Sequence, residues 1–252
     1  MSSGGASRPP LLQAIVESLT GDAPVRGVHI GAFWTAVLSR RCGLAATPNW
    51  VGASWPTDES SMLLAGSSAL ATAQLALVGQ PYPVSVGVAA INSLLSVDPA
   101  DCVELNAMQL IASQGQGKYV AMVGHFPGVP ELRERVGRLS VLELHPQEGD
   151  LPAGDADHVI PAADVVAITG STIVNGTLDH LLGLCQPRSL VIVLGPSTPL
   201  SPVLFDYGVD VISGTLVEDE AAVLQQVSAG ISFRQMTGVR LVTLVRNPAA
   251  LR

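Results

Sequence analysis

Charge is scarce in this sequence: Asp, Glu, Lys and Arg make up 13% of 252 residues, against 48% that are hydrophobic. What charge there is leans acidic, with 13 Lys and Arg against 21 Asp and Glu and a formal net charge of −8. The basic residues come singly or in pairs such as Arg40-Arg41. Nucleic-acid binding needs clustered Lys and Arg to neutralise phosphates, so no nucleic-acid partner is expected. Cysteine is scarce too. Cys42, Cys102 and Cys185 form no CxxC and no Cys/His pair at metal-ligand spacing, so they read as small buried hydrophobes in a reducing compartment. Long apolar runs are missing: stretches such as Leu75 to Val78 and Leu190 to Leu194 are cut by Gly, Pro, Gln or Ser well short of the roughly 18 residues a membrane span needs. The opening MSSGGASRPP has neither a charged start nor a following apolar segment, unlike a secretion signal. These absences predict a cytoplasmic location, no membrane partner and a small-molecule ligand. A homodimer is expected of a chain so apolar.

What is present is organised in two textures. From Lys118 onward, short apolar runs, Tyr119 to Val123, Ser140 to Leu144, Val165 to Thr169, Leu190 to Leu194 and Asp210 to Ile212, have the doubly apolar character of strands in a parallel sheet. Between them lie helix-forming segments: Pro130 to Val136, Leu178 to Cys185, Pro199 to Tyr207 and Glu218 to Ala229. Strand and helix alternating at this spacing predict an α/β, Rossmann-like, doubly wound domain. The first half reads differently. Leu11 to Leu19 is a helix, Val25 to Ile30 and Phe33 to Leu38 are strands joined near Gly31, and Ser67 to Val78 and Val84 to Leu95 are Ala-rich helices separated by GQPYP at 79–83. That order predicts a smaller α+β domain over residues 1–115, with the Rossmann-like domain over 116–252 and a linker in SQGQGK at 113–118.

Ligands of open parallel sheets bind outside the carboxyl ends of the strands. Four such ends carry Gly, His or hydroxyl residues: Gly124-His125-Phe126-Pro127-Gly128, Glu143-Leu144-His145-Pro146, Thr169-Gly170-Ser171-Thr172 with Asn175-Gly176-Thr177, and Gly195-Pro196-Ser197-Thr198. Any one of them could be a turn or a cap. Together on one edge they predict a ligand site, with ITGSTIVNGT as a binding loop running into a helix start.

Glu143 lies 19 residues beyond Gly124, about where dinucleotide-binding folds place the acid that holds ribose hydroxyls. GHFPG is not GxGxxG, however, and Pro127 lacks an N–H that a pyrophosphate would use. The same acid could serve an adenosylmethionine instead. A competing arrangement uses the two neighbouring strand ends: His125, Glu143 and His145 could hold a divalent metal ion with open positions. As an enzyme, the chain would be a transferase or lyase with Glu143 or His125 as catalytic acid or base. No nucleophile elbow is present, since GSTIVNG lacks the GxSxG turn.

The segments GAFWTAV, AAINSLL, VGHFPGVPEL, ELHPQEGDLP, ADVVAITGSTIVNGTLDHLL and LGPSTPLSPVLFDYGVD, spread from about Val28 to Gly230, make the sequence resemble the heavy-metal chelation family. The resemblance implies a small N-terminal domain similar to the enolase N-terminal fold, a C-terminal Rossmann-like domain and a site in the cleft between them. It also implies contributions from the first domain, for which Thr35 and Asn92 are the candidates. Asn92 is an amide on an otherwise apolar helix and needs a partner. Chelation of soft metals would call for thiolates, yet none of the three cysteines falls in these segments or at a strand end. A metal would be held by His125, Glu143 and His145 or arrive in a chelating ligand.

Overall fold

The computed structural model describes residues 8–48, 64–103 and 105–251; the first seven residues of the opening segment and 49–63 lie outside them. The N-terminal part begins with the helix Leu11–Ser18 and continues as an antiparallel meander of β1 (Gly27–Ile30), β2 (Trp34–Leu38) and β3 (Cys42–Ala46). β3 was not expected. It reads CGLAA, with neither the alternation nor the β-branched residues that mark a strand. Its small residues suit a different purpose, because the helix Pro81–Leu94 lies directly on it: a Cβ at Gly43 would fall 2.1 Å from the Ala89 carbonyl oxygen and 2.3 Å from the Ser93 nitrogen. That helix starts within the GQPYP segment expected to break it. Pro81 and Pro83 occupy the first turn, where backbone N–H groups have no intrahelical partner to lose.

The second part is a mixed seven-stranded sheet in the order β10-β9-β8-β7-β4-β5-β6, parallel except for β10. Its strands are β4 (Tyr119–Val123), β5 (Arg138–Glu143), β6 (Leu151–Pro152), β7 (Val165–Thr169), β8 (Leu190–Leu194), β9 (Val211–Val217) and β10 (Val239–Val245). β4, β7 and β8 fall where their doubly apolar runs predict. β10 is an edge strand whose first half is exposed at Arg240 and Leu241, and in its buried second half Thr243 interrupts the apolar pattern. The helix expected over Pro199–Tyr207 shrinks to Val203–Asp206, because Pro202 blocks helix continuation from the preceding residues and Gly208 follows in the left-handed region. The helix Ala107–Gln114, which runs two residues into the expected linker, buries Ala107, Leu110, Ile111 and Ala112 in the same cluster as β4, β5, β7 and β8 residues.

The two parts share their core. One buried cluster runs from Leu11 and Ile15 through Val37 and Ile91 to Val166, Ile168 and Ile212. The other face of the meander packs Ala36, Leu38 and Leu44 against Val223 and Val227 of the helix Glu220–Ser228. Polar contacts pin the junction: Ala46 N–H donates to Ser197 Oγ at 2.8 Å, Ser85 Oγ donates to the Ala46 carbonyl at 2.8 Å, and Arg26 pairs with both oxygens of Glu220. No helix among the described residues is long and apolar enough to cross a membrane.

Candidate functional site

The strand order reverses between β4 and β7, so the loops after them diverge and open a crevice. A cavity of about 500 Å³ lies there. β4 ends at Gly124, whose N–H still bonds the Leu142 carbonyl at 2.8 Å and whose φ of 96° turns the chain away from the sheet. The turn is held by Glu143 at the end of β5. One of its carboxylate oxygens accepts from His125 N–H at 2.8 Å and the other from Leu144 N–H at 2.7 Å. Glu143 is thus a backbone clamp as well as a wall of the cavity.

The clamp sets the position of His125. Its Nδ1 lies 2.9 Å from Oδ2 of Asp150, whose side chain is 1% exposed while the imidazole is 25% exposed. The same Oδ2 accepts from Gln147 N–H at 3.1 Å, an acceptor role that matches the imidazole tautomer with its proton on Nδ1. Nε2 then carries the lone pair and makes no hydrogen bond to the described residues. The other oxygen of Asp150 is buried without a partner among them.

The opposite wall comes from the segment after β7. Thr169, Ser171, Thr172, Asn175 and Thr177 all line the cavity. ITGSTIVNGT is a short helical turn, Ser171–Val174, followed by the start of the helix Leu178–Leu184. Thr172 Oγ1 donates to the Thr169 carbonyl at 2.6 Å, and Asn175 Oδ1 accepts from Thr177 N–H at 3.1 Å and Thr177 Oγ1 at 2.7 Å. The segment satisfies much of its own polarity and leaves the Asn175 amide nitrogen for other partners. Gly170 and Gly176 are not in this wall. A Cβ at Gly170 would meet Thr198 Oγ1 at 2.4 Å, so that glycine serves close packing, while Gly176 and Asn175 border a second cavity of about 540 Å³ against Pro10, Gly79 and Val84.

Other residues expected at the ligand lie elsewhere. Thr35 is fully buried and shares a hydrogen bond with Thr47. Ser197 is 1% exposed and engaged with Ala46 N–H, and neither Gly195 nor Pro196 lines the crevice. Asn92 Nδ2 donates to the carbonyls of Leu44 at 2.8 Å and Ser197 at 3.3 Å, so this amide joins β3 to the loop after β8. Among the described residues, those that line the crevice all lie from Val123 onward. Two of its polar residues, and a third behind its wall, escaped the sequence reading. Asp157 and His180 pair at 3.2 Å on the exposed rim, and Asp150, behind His125, sits in ELHPQEGD without a strand or helix pattern to single it out.

The donor set does not suit a bare metal ion. Among the described residues no group of three or more His, Cys, Asp or Glu side chains could hold one. His145 is exposed, and both Glu143 oxygens face backbone N–H groups, so the His125, Glu143, His145 trio is not assembled as a chelating cluster. Nor are thiolates on offer: burial pushes the Cys42 and Cys185 thiols up to about 12 and also raises Cys102.

This architecture recurs in solved structures. A protein of unknown function from Desulfitobacterium hafniense is 26% identical, with a TM-score of 0.85 over 94% of this chain and 98% of that one. Another from Pyrococcus horikoshii shares the fold at 21% identity, TM-score 0.80, over 94% and 98%. An uncharacterised Methanocaldococcus jannaschii protein is 28% identical over 142 residues, and the match spans only 55% of that protein's length. Two family models, both described as "Putative heavy-metal chelation", match residues 13–95 and 106–246, the meander with its helices and the parallel sheet with its crevice. With the second model alone matching more than half of the chain, and both solved relatives assigned to that same family, this protein belongs to the family of those models.

Proposed function

We propose that this protein binds a small polar, metal-chelating molecule in the crevice between the ends of β4 and β7. The observation that carries this reading is the His125–Asp150 pair at the cavity: a buried carboxylate fixes the tautomer and the direction of an imidazole whose Nε2 is left for a ligand. Opposite it, Ser171, Thr172 and the Asn175 amide supply hydroxyl and amide groups, while Val123, Phe126 and Leu181 supply apolar wall. A few polar groups converging in a largely apolar crevice at a topological switch point are typical of small-molecule sites. In this reading the first domain acts through the seam at Asn92 and Ser197, which holds the sheet edge in place, and not by touching the ligand in the described conformation.

The test uses iminodiacetate, free and as its copper complex, in calorimetric titration. Asn175→Ala should weaken binding about tenfold while leaving the circular dichroism spectrum unchanged. Unaltered affinity in that variant would sink the assignment of this wall.

The same imidazole supports a second reading, an enzyme of the transferase or lyase class in which His125 Nε2 accepts a proton. Glu143 is the weaker candidate for that role, and for a ribose of a nucleotide or adenosylmethionine, because both its oxygens already accept N–H bonds. Turnover separates the readings: an enzyme returns altered ligand, a binding protein returns it unchanged.

A further inference from the structure

We propose that the crevice accepts a divalent metal ion only when a small chelator already holds it, and that Nε2 of His125 is the one protein donor to that metal. The inference rests on the crevice being the ligand site and adds what the ligand must carry. Three observations lead to it.

The first is the mismatch between the family's description and the donors. A bare ion of the first-row series needs three or four protein ligands, and no such group exists among the described residues. His125 is nevertheless arranged as a metal-binding histidine is, with Nδ1 on a buried carboxylate and Nε2 without a hydrogen bond to the described residues. One well-prepared donor without companions fits an ion whose other ligands come from elsewhere.

The second is volume. About 500 Å³ is far more than a hydrated ion requires and is the size of a small organic complex. The third is charge. Among the described residues, the cavity lining contains no Lys or Arg, while Glu143 and Asp157 contribute carboxylates. A free polycarboxylate chelator would enter with nothing to balance it and with like charges beside it. The same chelator around a divalent ion is close to neutral, and its metal presents an open position to the imidazole.

The experiment uses untagged full-length protein and three probes: copper(II) ion, copper(II)–iminodiacetate, which leaves a coordination position open, and metal-free iminodiacetate. Affinity is read by calorimetry, and coordination by the imidazole-nitrogen couplings in the electron paramagnetic resonance spectrum. The expected result is one site for the copper complex, at least tenfold tighter than anything remaining in His125→Ala or His125→Gln. His145→Ala should leave it unchanged. Asp150→Ala should weaken it 10- to 100-fold through the loosened imidazole, and Asp150→Asn, which keeps an acceptor for Nδ1–H, should weaken it less. Copper ion alone should bind wild type no better than His125→Ala. The proposal is overturned if copper ion alone occupies a His125-dependent site as tightly as the complex does, or if the complex binds equally well without His125. If metal-free iminodiacetate binds as tightly as the complex, in an Asn175-dependent manner, the crevice stands as a ligand site and the metal bond to His125 falls. If binding depends on His125 but is indifferent to Asn175→Ala, the donor assignment stands and the ligand's wall has to be redrawn.

Discussion

Glu143 illustrates how a single side chain can look chemical in sequence and be architectural in the fold. Its two oxygens each accept a backbone N–H at the bend that carries His125. In Glu143→Gln one acceptor is replaced by a donor that faces a donor, a mismatch that costs about 1–3 kcal/mol. For a chain of this size that lowers the unfolding midpoint by roughly 2–10 °C, measurable by scanning calorimetry. A midpoint within a degree of wild type would show that the clamp contributes nothing. The cysteines make the complementary point. Cys42 and Cys185 are pushed up to about 12 by burial, with the Asp210 carboxylate adding to the rise at Cys185, so neither offers thiolate at neutral pH. A disulfide reagent at pH 8 should label one thiol, Cys102, before unfolding and three after it. Cys102→Ser should abolish the early phase, and cadmium should produce no sulfur-to-metal absorption band in the native protein. An early phase of two or three thiols would reopen the possibility of soft-metal binding.

At the scale of elements, the close approach of the helix Pro81–Leu94 to β3 is the tightest feature of the N-terminal part. The atoms that a Cβ at Gly43 would strike, at 2.1 and 2.3 Å, are backbone, which cannot swing aside. Gly43→Ala must therefore separate helix and strand, and a cost of about 1–3 kcal/mol or more is expected for such overpacking. Chemical denaturation would reveal it as a lowered midpoint with an unchanged slope; no change would mean that helix and strand separate without cost. This contact also explains what the sequence could and could not tell. The strands β4, β7 and β8 were legible because burial on both faces demands a continuous apolar run, and the helix–strand alternation followed from them. β3 was not legible, since its fitness lies in smallness that matters only against a particular helix. The site divides the same way. His125 and the hydroxyls after β7 stood out because strand ends are where parallel sheets bind ligands. Asp150 did not, because its partnership with His125 depends on how the loop after β5 folds back, across 25 residues of chain. Thr35 and Asn92 do not line the crevice for a related reason: a polar residue on an apolar element serves a ligand or a structural contact, and only the neighbours in space decide.

At the scale of the whole molecule, those neighbours argue for a single cooperative unit. The meander is covered on one face by the helix Pro81–Leu94 and on the other by the C-terminal helix Glu220–Ser228, so neither part can unfold without exposing the other's core. Val223 and Val227, at 0% and 1% exposure, owe part of their burial to the meander, and a Cβ at Gly31 would come within 2.0 Å of the Val227 carbonyl. A fragment spanning 106–252 would leave that surface bare, along with the half of the principal cluster that meets Leu11, Val37 and Ile91. The expectation is one transition for the full chain and no cooperative transition for the fragment. Two probes can test it, because all three tryptophans, Trp34, Trp50 and Trp55, precede the parallel sheet. With Trp50 and Trp55 replaced by Phe, the fluorescence of Trp34 on β2 follows the N-terminal part, and far-ultraviolet circular dichroism follows chiefly the sheet and its helices. Coincident midpoints would make the seam of Asn92, Ser197 and Ala46 part of one folding unit, and Ser197→Ala should lower both midpoints together. Fluorescence melting several degrees before ellipticity would instead make the first domain a separable cover over the sheet edge.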